Sequence, residues 1–489
     1  MTTLPILSTL LALPALGAVL CLLVRGERMA RLVALLCSGL ALLASLGAIA
    51  VFDATRGDFQ LVERHAWIPG LRVDFLIGVD GLSVLFLPAT TLLFALALFA
   101  GRRGVARPGL QAALILLLES ATLGVFCALD AVLFFVFWEL TLLPLYFLVG
   151  LWGLGEHGRA AATRYFLVML AGGVPLLFGF LALSADAGGA FDLPTLLAHP
   201  AAHGKEWLFF LLFLVGFGVK VPMVPLHTWL PSFALGAPAA ITALIVGLKL
   251  GAYGLLRFAI PLAPTAAQEL HWLLAGLGTV GILYGAVAAL AQSNLRSVVA
   301  YASVSHVGMV LLGLSTFSVS GLQGAVLLLL SFSVSSGGLF LMLDCLQRRT
   351  GTTDIAALGG VRQRMPRLAA AVLVFGLTGL GLPATGGFPA EFLIIVSSLR
   401  VHGGATLAAL FGMVVGAAAF LAPYRIAFFG PVTRAEVAQA DDLLPREYAV
   451  AIVLLVFTLY FGLWPMHWLE LMSPAAEAWV ARLPVVTGG

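Results

Sequence analysis

Charge is scarce in this sequence. Only 10% of its 489 residues are Asp, Glu, Lys or Arg, whereas 61% are apolar. A water-soluble domain carries about a quarter charged residues, so this composition excludes one and leaves the membrane class. Cysteine is scarce too. Cys21, Cys37, Cys127 and Cys345 lie in or at the edge of apolar runs, with no C-x-x-C spacing to hold zinc or an iron–sulfur cluster; they read as small buried hydrophobes. No Gly-rich phosphate loop follows a strand-like segment, so no cofactor is expected in this chain, and any nucleotide or redox group belongs to a partner. The net charge of +3 is small and spread over many loops, which argues against a nucleic-acid partner and against a polybasic lipid clamp.

What is abundant is apolar sequence in runs long enough to cross a hydrocarbon core of about 30 Å as helices. Taken between polar breaks, these runs predict about fourteen transmembrane helices, at 3–23, 30–51, 78–101, 109–128, 131–152, 162–184, 207–230, 237–258, 271–291, 297–316, 321–345, 368–388, 391–429 and 448–470, the thirteenth including a pre-helix segment. The expected fold class is an all-α polytopic membrane protein in contact with the lipid bilayer. The first run has no basic residue before it and Arg25, Arg28 and Arg31 after it, the reverse of a secretory signal, so it reads as a retained helix.

Loop charge sets the expected orientation, because short loops rich in Lys and Arg stay cytoplasmic. With the N-terminus outside, the inward connections hold 17 of the 26 basic residues, among them Arg102, Arg103, Arg348, Arg349 and Arg362, while the outward ones hold seven, including Arg56, Lys205, Arg257 and Arg400. Both termini then lie on the outer, periplasmic side of a bacterial inner membrane. The remaining two, Lys220 and Lys249, belong to no loop, in a chain with only three lysines.

Two apolar helices are broken by paired prolines beside a charge: Gly218-Val-Lys-Val-Pro-Met-Val-Pro225 in the seventh and Leu382-Pro-Ala-Thr-Gly-Gly-Phe-Pro-Ala-Glu391 at the twelfth. Unwound backbone at membrane depth persists only where protein or a wet cavity satisfies it, and such breaks in matching places point to repeats meeting at a transport site. The spacing agrees, since 167 residues separate Glu139 from His306 and 171 separate Lys220 from Glu391. The sequence therefore predicts two five-helix repeats, helices 4 to 8 and 9 to 13, inverted because five crossings reverse direction. The expected organisation is flanking helices over 1–103, a first repeat over 104–260, a second over 261–430, and a loop with a last helix over 431–489.

An ionised side chain at a helix centre costs about 2.5–3.5 kcal/mol on insertion scales, so each one needs a partner, water or a task. Glu139, Lys220 and Lys249 lie well inside helices. Burial disfavours the charged ammonium, which lets a lysine give up and regain a proton. His306, in Tyr301-Ala-Ser-Val-Ser-His306, titrates near neutrality and suits a relay, although a lone histidine on a Ser-rich helix serves equally as packing glue. Glu391 follows Pro389 at the break and suits an exit-side carboxylate. Glu119 is central in its run but has no supporting motif, and His227 and Asp344 sit near helix ends, where capping or pairing with Arg348 is the expected use.

These residues carry a resemblance. Phe137-Trp138-Glu139, Val219-Lys-Val-Pro222 with His227-Thr-Trp-Leu-Pro231, Gly247-Leu-Lys-Leu-Gly-Ala-Tyr-Gly-Leu-Leu-Arg257, Ala300-Tyr-Ala-Ser-Val-Ser-His306 and Phe388-Pro-Ala-Glu-Phe392 resemble the M-type antiporter-like membrane subunit of bacterial NADH:quinone oxidoreductase, respiratory complex I, nearly end to end. Within that superfamily Glu391 resembles subunit M, since sister subunits and multi-subunit cation/proton antiporters usually have lysine there. The resemblance implies proton translocation through Glu139 and Lys220 as a modulating ion pair, then Lys249, His306 and Glu391. It also implies membrane-arm partners and a peripheral redox arm, with flavin, iron–sulfur clusters and quinone held outside this chain.

The sequence departs from the family at two places. Ser331-Phe332-Ser333 stands where the family usually has Ser-His-Gly, and Ser232-Phe233-Ala234 where it commonly has Asp-Ala-His. Either water held by Ser331, Ser333 and Ser335 is expected to replace the missing histidine, the preferred reading, or the chain belongs to a divergent complex. Two other settings use similar buried charges, a stand-alone cation/proton antiporter and the membrane subunit of a hydrogenase or formate-oxidising complex.

Overall fold

The computed structural model describes residues 5–102, 104–199 and 204–483; the expected helix start at 3 and the loop residue Arg103 lie outside them. Among the described residues, eleven helices are long and apolar enough to cross a membrane, from Ile6–Leu23 to Pro445–Leu463. Phe86–Ala100 and Pro366–Gly379 are shorter apolar helices. Their outward faces carry Leu16, Leu43, Val280, Leu407, Phe411 and Val414, all exposed. Apolar side chains cover the rim where a soluble bundle would place charge, which is what lipid tails or neighbouring helices require.

Val319–Thr350 is the spine of the molecule. Over its 32 residues it is capped by the Ser318 hydroxyl, which accepts from the Gly321 amide, and ended by Gly351 at φ +72°. Its spanning stretch is wholly buried. A helix that is apolar all round belongs inside a bundle, and this one is enclosed by Ala239–Leu248, Leu295–Leu314, Pro366–Gly379, Gly387–Val401 and Pro445–Leu463. At its C-terminal end Arg348 pairs with Asp344 at 2.8 Å, as the sequence suggested, and Arg349 with Glu447 at 2.5 Å, tying the spine to the start of the last spanning helix.

Four boundaries differ from expectation. The third helix starts at Phe86, because Val73–Val79 is a strand paired antiparallel with Gln60–Ile68. An apolar run reports burial, not conformation, and the expected helix start at 78 takes in Gly78-Val79, the end of this strand, together with the turn that follows it. The hairpin is stitched to the loop before the fifth helix by Leu129 N donating to Leu76 O, and Glu63 accepts from the amides of Leu7 and Ser8 at the first helix's N-terminus. Residues 391–429 divide at His402 into Gly387–Val401 and Gly403–Phe428, and the first of these is the second half of the broken twelfth helix. The last helix ends at Leu463, and a separate helix, Pro465–Val480, folds back so that Trp479 Nε1 donates to Leu256 O at 2.9 Å. The eighth helix is also interrupted, as the next section describes.

The two expected breaks are present. Glu206–Lys220 stops before Pro222, and the chain resumes helically at Leu226. Pro366–Gly379 stops before Gly381, which takes φ +66°, and the helix resumes at Gly387. The freed backbone is satisfied inside the protein: Trp229 Nε1 donates to Val219 O at 2.8 Å and Gly386 N to Thr458 O at 3.0 Å. Arg257, assigned from sequence to an outward loop, is buried and bonded to Asp80.

Candidate functional site

Four of the charged residues singled out in the sequence, Glu139, Lys220, Lys249 and Glu391, lie at or beside an irregularity, where the backbone turns a side chain away from its own helix; Glu119 and His306 lie within unbroken helices. Glu139 precedes Thr141, the junction between Ala131–Leu140 and Leu142–Trp152. Lys220 ends the first half of the broken seventh helix, and Glu391 is the fifth residue of the helix that follows the second break. Lys249 is the unforeseen case. It stands at φ +44°, ψ +46° between Ala239–Leu248 and Leu250–Gly254, and a π-helical turn over Leu255–Ala259 follows. A non-glycine residue in the left-handed region is strained, and here the strain falls on a buried lysine.

Lys220 Nζ donates to Trp138 O at 2.9 Å and Thr141 Oγ1 at 2.7 Å, and it lies 3.9 Å from the centre of the Trp138 ring. Its contacts therefore flank Glu139 without including it. The Glu139 carboxylate instead faces Gly173, where a Cβ would meet its Oε1, and that oxygen is buried without a partner. Beside Lys220 is a cavity of about 30 Å³ lined by Thr141, Tyr165, Leu248 and Leu250, among others. The Tyr165 hydroxyl is also buried and unpartnered. A space above about 10–15 Å³ with polar groups to satisfy holds water, and two leucines of this lining, Leu248 and Leu250, bracket Lys249.

Lys249 Nζ donates to Ser303 Oγ. Ser303 lines a second cavity of about 50 Å³ together with His306, Phe332, Ser335 and Gly379. His306 Nε2 is 2.6 Å from Gly379 O, in the turn just before the second break. The Phe332 ring lies on His306 with centroids 3.9 Å apart, so an aromatic ring packs directly on the relay candidate. Beyond the break, the Glu391 carboxylate lies against Gly381, where a Cβ would collide with it. That approach explains why glycine occupies this position.

The three serines differ in what their hydroxyls meet. Ser335 lines the cavity with its hydroxyl buried and unpartnered, as water would require. Ser333 donates to backbone carbonyls, Gly247 O or Leu329 O at 3.1 Å, and Ser331 faces Gly386 at the break. His227 is not a helix cap: it is buried, both ring nitrogens lack partners, and its ring meets Tyr284 edge-on at 4.9 Å. Glu119 is fully buried in Pro108–Cys127, where Oε1 accepts from Ser38 Oγ at 2.9 Å and Oε2 has no partner.

Sequence reasoning missed Thr141, Tyr165 and Ser303. Thr141 and Ser303 lie two and three residues from a charge already singled out, so the signal was available. Tyr165 has none, because only the packing of Gly155–Asp186 brings it there. Among the described residues, no group of three or more His, Cys, Asp or Glu side chains converges as a metal site would require.

The transmembrane family described as NADH:quinone oxidoreductase/Mrp antiporter matches residues 128–416, a span that contains all five central charges. The chain is 35% identical to NADH-quinone oxidoreductase subunit M of Rhodobacter capsulatus, over 96% of this chain and 95% of that one. It superposes on a chain of respiratory complex I from Thermus thermophilus with TM-score 0.90 and 32% identity, covering 98% of this chain and 100% of the other. A chain of the Mrp complex from Dietzia sp. DQ12-45-1b shares the fold, with TM-score 0.86 at 24% identity, covering 100% of this chain and 98% of that one.

Proposed function

The chain belongs to the subunit M family of NADH-quinone oxidoreductases, a family of antiporter-like membrane subunits, and from that premise we propose that it carries protons along Glu139, Lys220, Lys249, His306 and Glu391, driven by quinone reduction elsewhere in its complex. The observation that carries this reading is the alternation of charge and space. A cavity adjoins Lys220 and reaches the leucines around Lys249; the lysine's hydroxyl partner lines a second cavity, which ends at His306. Protons cross gaps between titratable groups through water and hydroxyls, and a membrane interior keeps such groups only for a task.

In this reading Glu139 and Lys220 form a switchable pair, and the separated arrangement is its open state. When the carboxylate swings to the ammonium, the pair holds the proton on Lys220; when it swings toward Gly173, burial favours release toward Lys249. Glu119 and His227 are secondary members. The two broken helices belong to inverted repeats over 104–260 and 261–430, between flanking helices over 1–103 and a closing segment over 431–489. The subunit sits in a bacterial inner membrane with both termini outside, among other membrane-arm subunits and beneath a peripheral arm that holds flavin and iron–sulfur clusters. Like its relatives it is a non-redox part of a translocating enzyme. Glu391, rather than lysine, favours this reading over a stand-alone cation/proton antiporter.

The test is Lys249→Ala in the assembled complex, reconstituted in vesicles, with proton uptake and NADH oxidation measured together. Pumping should fall by about tenfold or more, the scale of losing one acid–base group. Undiminished pumping by a fully assembled variant would refute the path.

A further inference from the structure

At the end that the charge bias assigns to the outside, a cavity of about 670 Å³ is lined by Gln268, Glu269, His271, Ser315 and Thr316, among others. Of two stacked imidazoles, His271 lines its wall and His402 packs against His271. His271 opens the His271–Leu290 helix, and His402 is the hinge between Gly387–Val401 and Gly403–Phe428. Their rings stack with centroids 5.0 Å apart and planes at 27°. Ser315 O lies 3.3 Å from His402 Nε2; a carbonyl only accepts, so this nitrogen carries the hydrogen and Nδ1 keeps its lone pair. Nδ1 of His271 is buried and has no hydrogen-bond partner, a state that native structures seldom tolerate without a use.

The pair also has a link inward. Glu391, Ser398 and His402 are spaced by seven and four, which places them along one side of the same helix and its end. Thr406 Oγ1 lies beside them, 2.9 Å from Ser398 Oγ and 3.0 Å from the backbone carbonyl of His402. On the segments around the pair the charged groups are Glu206, Glu269, Arg400, Glu477 and Arg482. Glu269 lines the cavity, its carboxylate accepting from Trp207 Nε1 at 2.6 Å, and Glu206 is occupied by the Ala266 amide. Burial, reinforced by the neighbouring His271, holds His402 below the ordinary imidazole range, against the opposing bond to Ser315.

We propose that the stacked His271–His402 pair is the outward proton-release station of this subunit, taking a proton that leaves Glu391 and delivering it to the water-filled cavity. The inference rests on the proton-path reading above. Two imidazolium charges this close repel, so the pair holds one extra proton at a time, and each arrival must be released outward before the next. The proton moves as a proton only: it leaves the carboxylic acid, binds an imidazole lone pair, and passes to water beside Glu269.

The test uses the assembled complex in proteoliposomes, with His402→Ala and His271→Ala beside Lys249→Ala, and imidazole supplied in the compartment that the cavity faces. Each histidine variant should lose about tenfold or more of its proton translocation. Imidazole, small enough for the cavity, should restore at least half of it in a concentration-dependent way, whereas pyrrole, the same shape without the basic nitrogen, should not. Should alanine disturb assembly, His402→Gln with His271→Gln gives the same readout with side chains that hydrogen-bond but do not titrate. Wild-type pumping by the histidine variants, or a loss that imidazole does not relieve, overturns the release station. Normal pumping by Lys249→Ala would instead overturn the underlying path, so the two failures are distinguishable.

Discussion

Lys220 reaches the carbonyl of Trp138 at 2.9 Å, one residue before Glu139, yet no ion pair joins it to that carboxylate. The lysine is held by a carbonyl and the hydroxyl of Thr141 on one side of the helix junction, while the acid points to Gly173 on the other. A fixed structural pair would be closed. This one leaves a buried carboxylate oxygen without a partner, which is costly, and that cost makes closure accessible.

Glu139→Gln should therefore lower proton translocation by about tenfold or more. A carboxylate about 6 Å from an ammonium, at an effective dielectric of about 20, contributes roughly 2.8 kcal/mol to the closed pair, and the amide removes it. Glu139→Asp keeps the charge on a shorter arm and should retain partial activity. Translocation by vesicles containing the two variants, compared across pH after verifying assembly, decides the matter: an unchanged profile for Glu139→Gln would make the pair merely structural.

Ser303 and Ser333 separate a working hydroxyl from a structural one. Ser303 holds Lys249 and lines the cavity toward His306, whereas Ser333 spends its hydrogen on a backbone carbonyl. Ser303→Ala leaves a buried ammonium short of an acceptor, at a cost of about 1–3 kcal/mol, and should slow pumping severalfold. Ser333→Ala should leave pumping within about twofold, because a single neutral hydrogen bond contributes only about 1 kcal/mol. Equal effects of the two substitutions would dissociate Ser303 from the path.

Phe332→His should be tolerated, with turnover between half and twice that of wild type. The ring already lies on His306 beside water-sized space, so the smaller imidazole fits and restores a titratable group where the family keeps one. Turnover by the assembled variant is the measurement. A dead but assembled enzyme would mean that the dry aromatic face is required there, and that the cavity has been rebuilt around it.

The breaks in the seventh and twelfth helices were legible because proline pairs beside a charge leave few alternatives at membrane depth. Lys249 was legible as a buried charge but not as a break: Gly247-Leu-Lys-Leu-Gly251 contains no proline, and its positive φ is imposed by packing rather than by local sequence. Asp80 was passed over for the opposite reason. It falls inside the run 78–101 that the sequence reads as helix, and only the fold brings it to Arg257, 177 residues away. Tertiary contacts between distant segments leave no periodic trace, so the partners of a buried charge are what a sequence hides best.

That pair supplies a prediction about stability rather than transport. Arg257 Nη1 and Nη2 donate to Asp80 Oδ2 and Oδ1 at 2.7 and 2.6 Å, both side chains are buried, and Arg257 Nε donates to the Tyr253 hydroxyl, which in turn donates to Phe126 O at 3.0 Å. Asp80 also accepts from the amides of Leu82 and Ser83. The network joins the end of the hairpin to the second half of the interrupted eighth helix, which follows Lys249. Removing one member strands a buried charge, at a cost of about 3–5 kcal/mol, whereas replacing both with apolar residues is close to neutral. Asp80→Ala should therefore lower the melting temperature and the yield of assembled complex. Asp80→Leu with Arg257→Met should recover most of both, and because neither residue lies on the proposed path, the double variant should pump at near wild-type rates. Thermal unfolding of the purified complexes gives the first comparison and vesicle translocation the second. A stable double variant that no longer pumps would place Arg257 in the transport machinery, through its hold on the strained segment that presents Lys249.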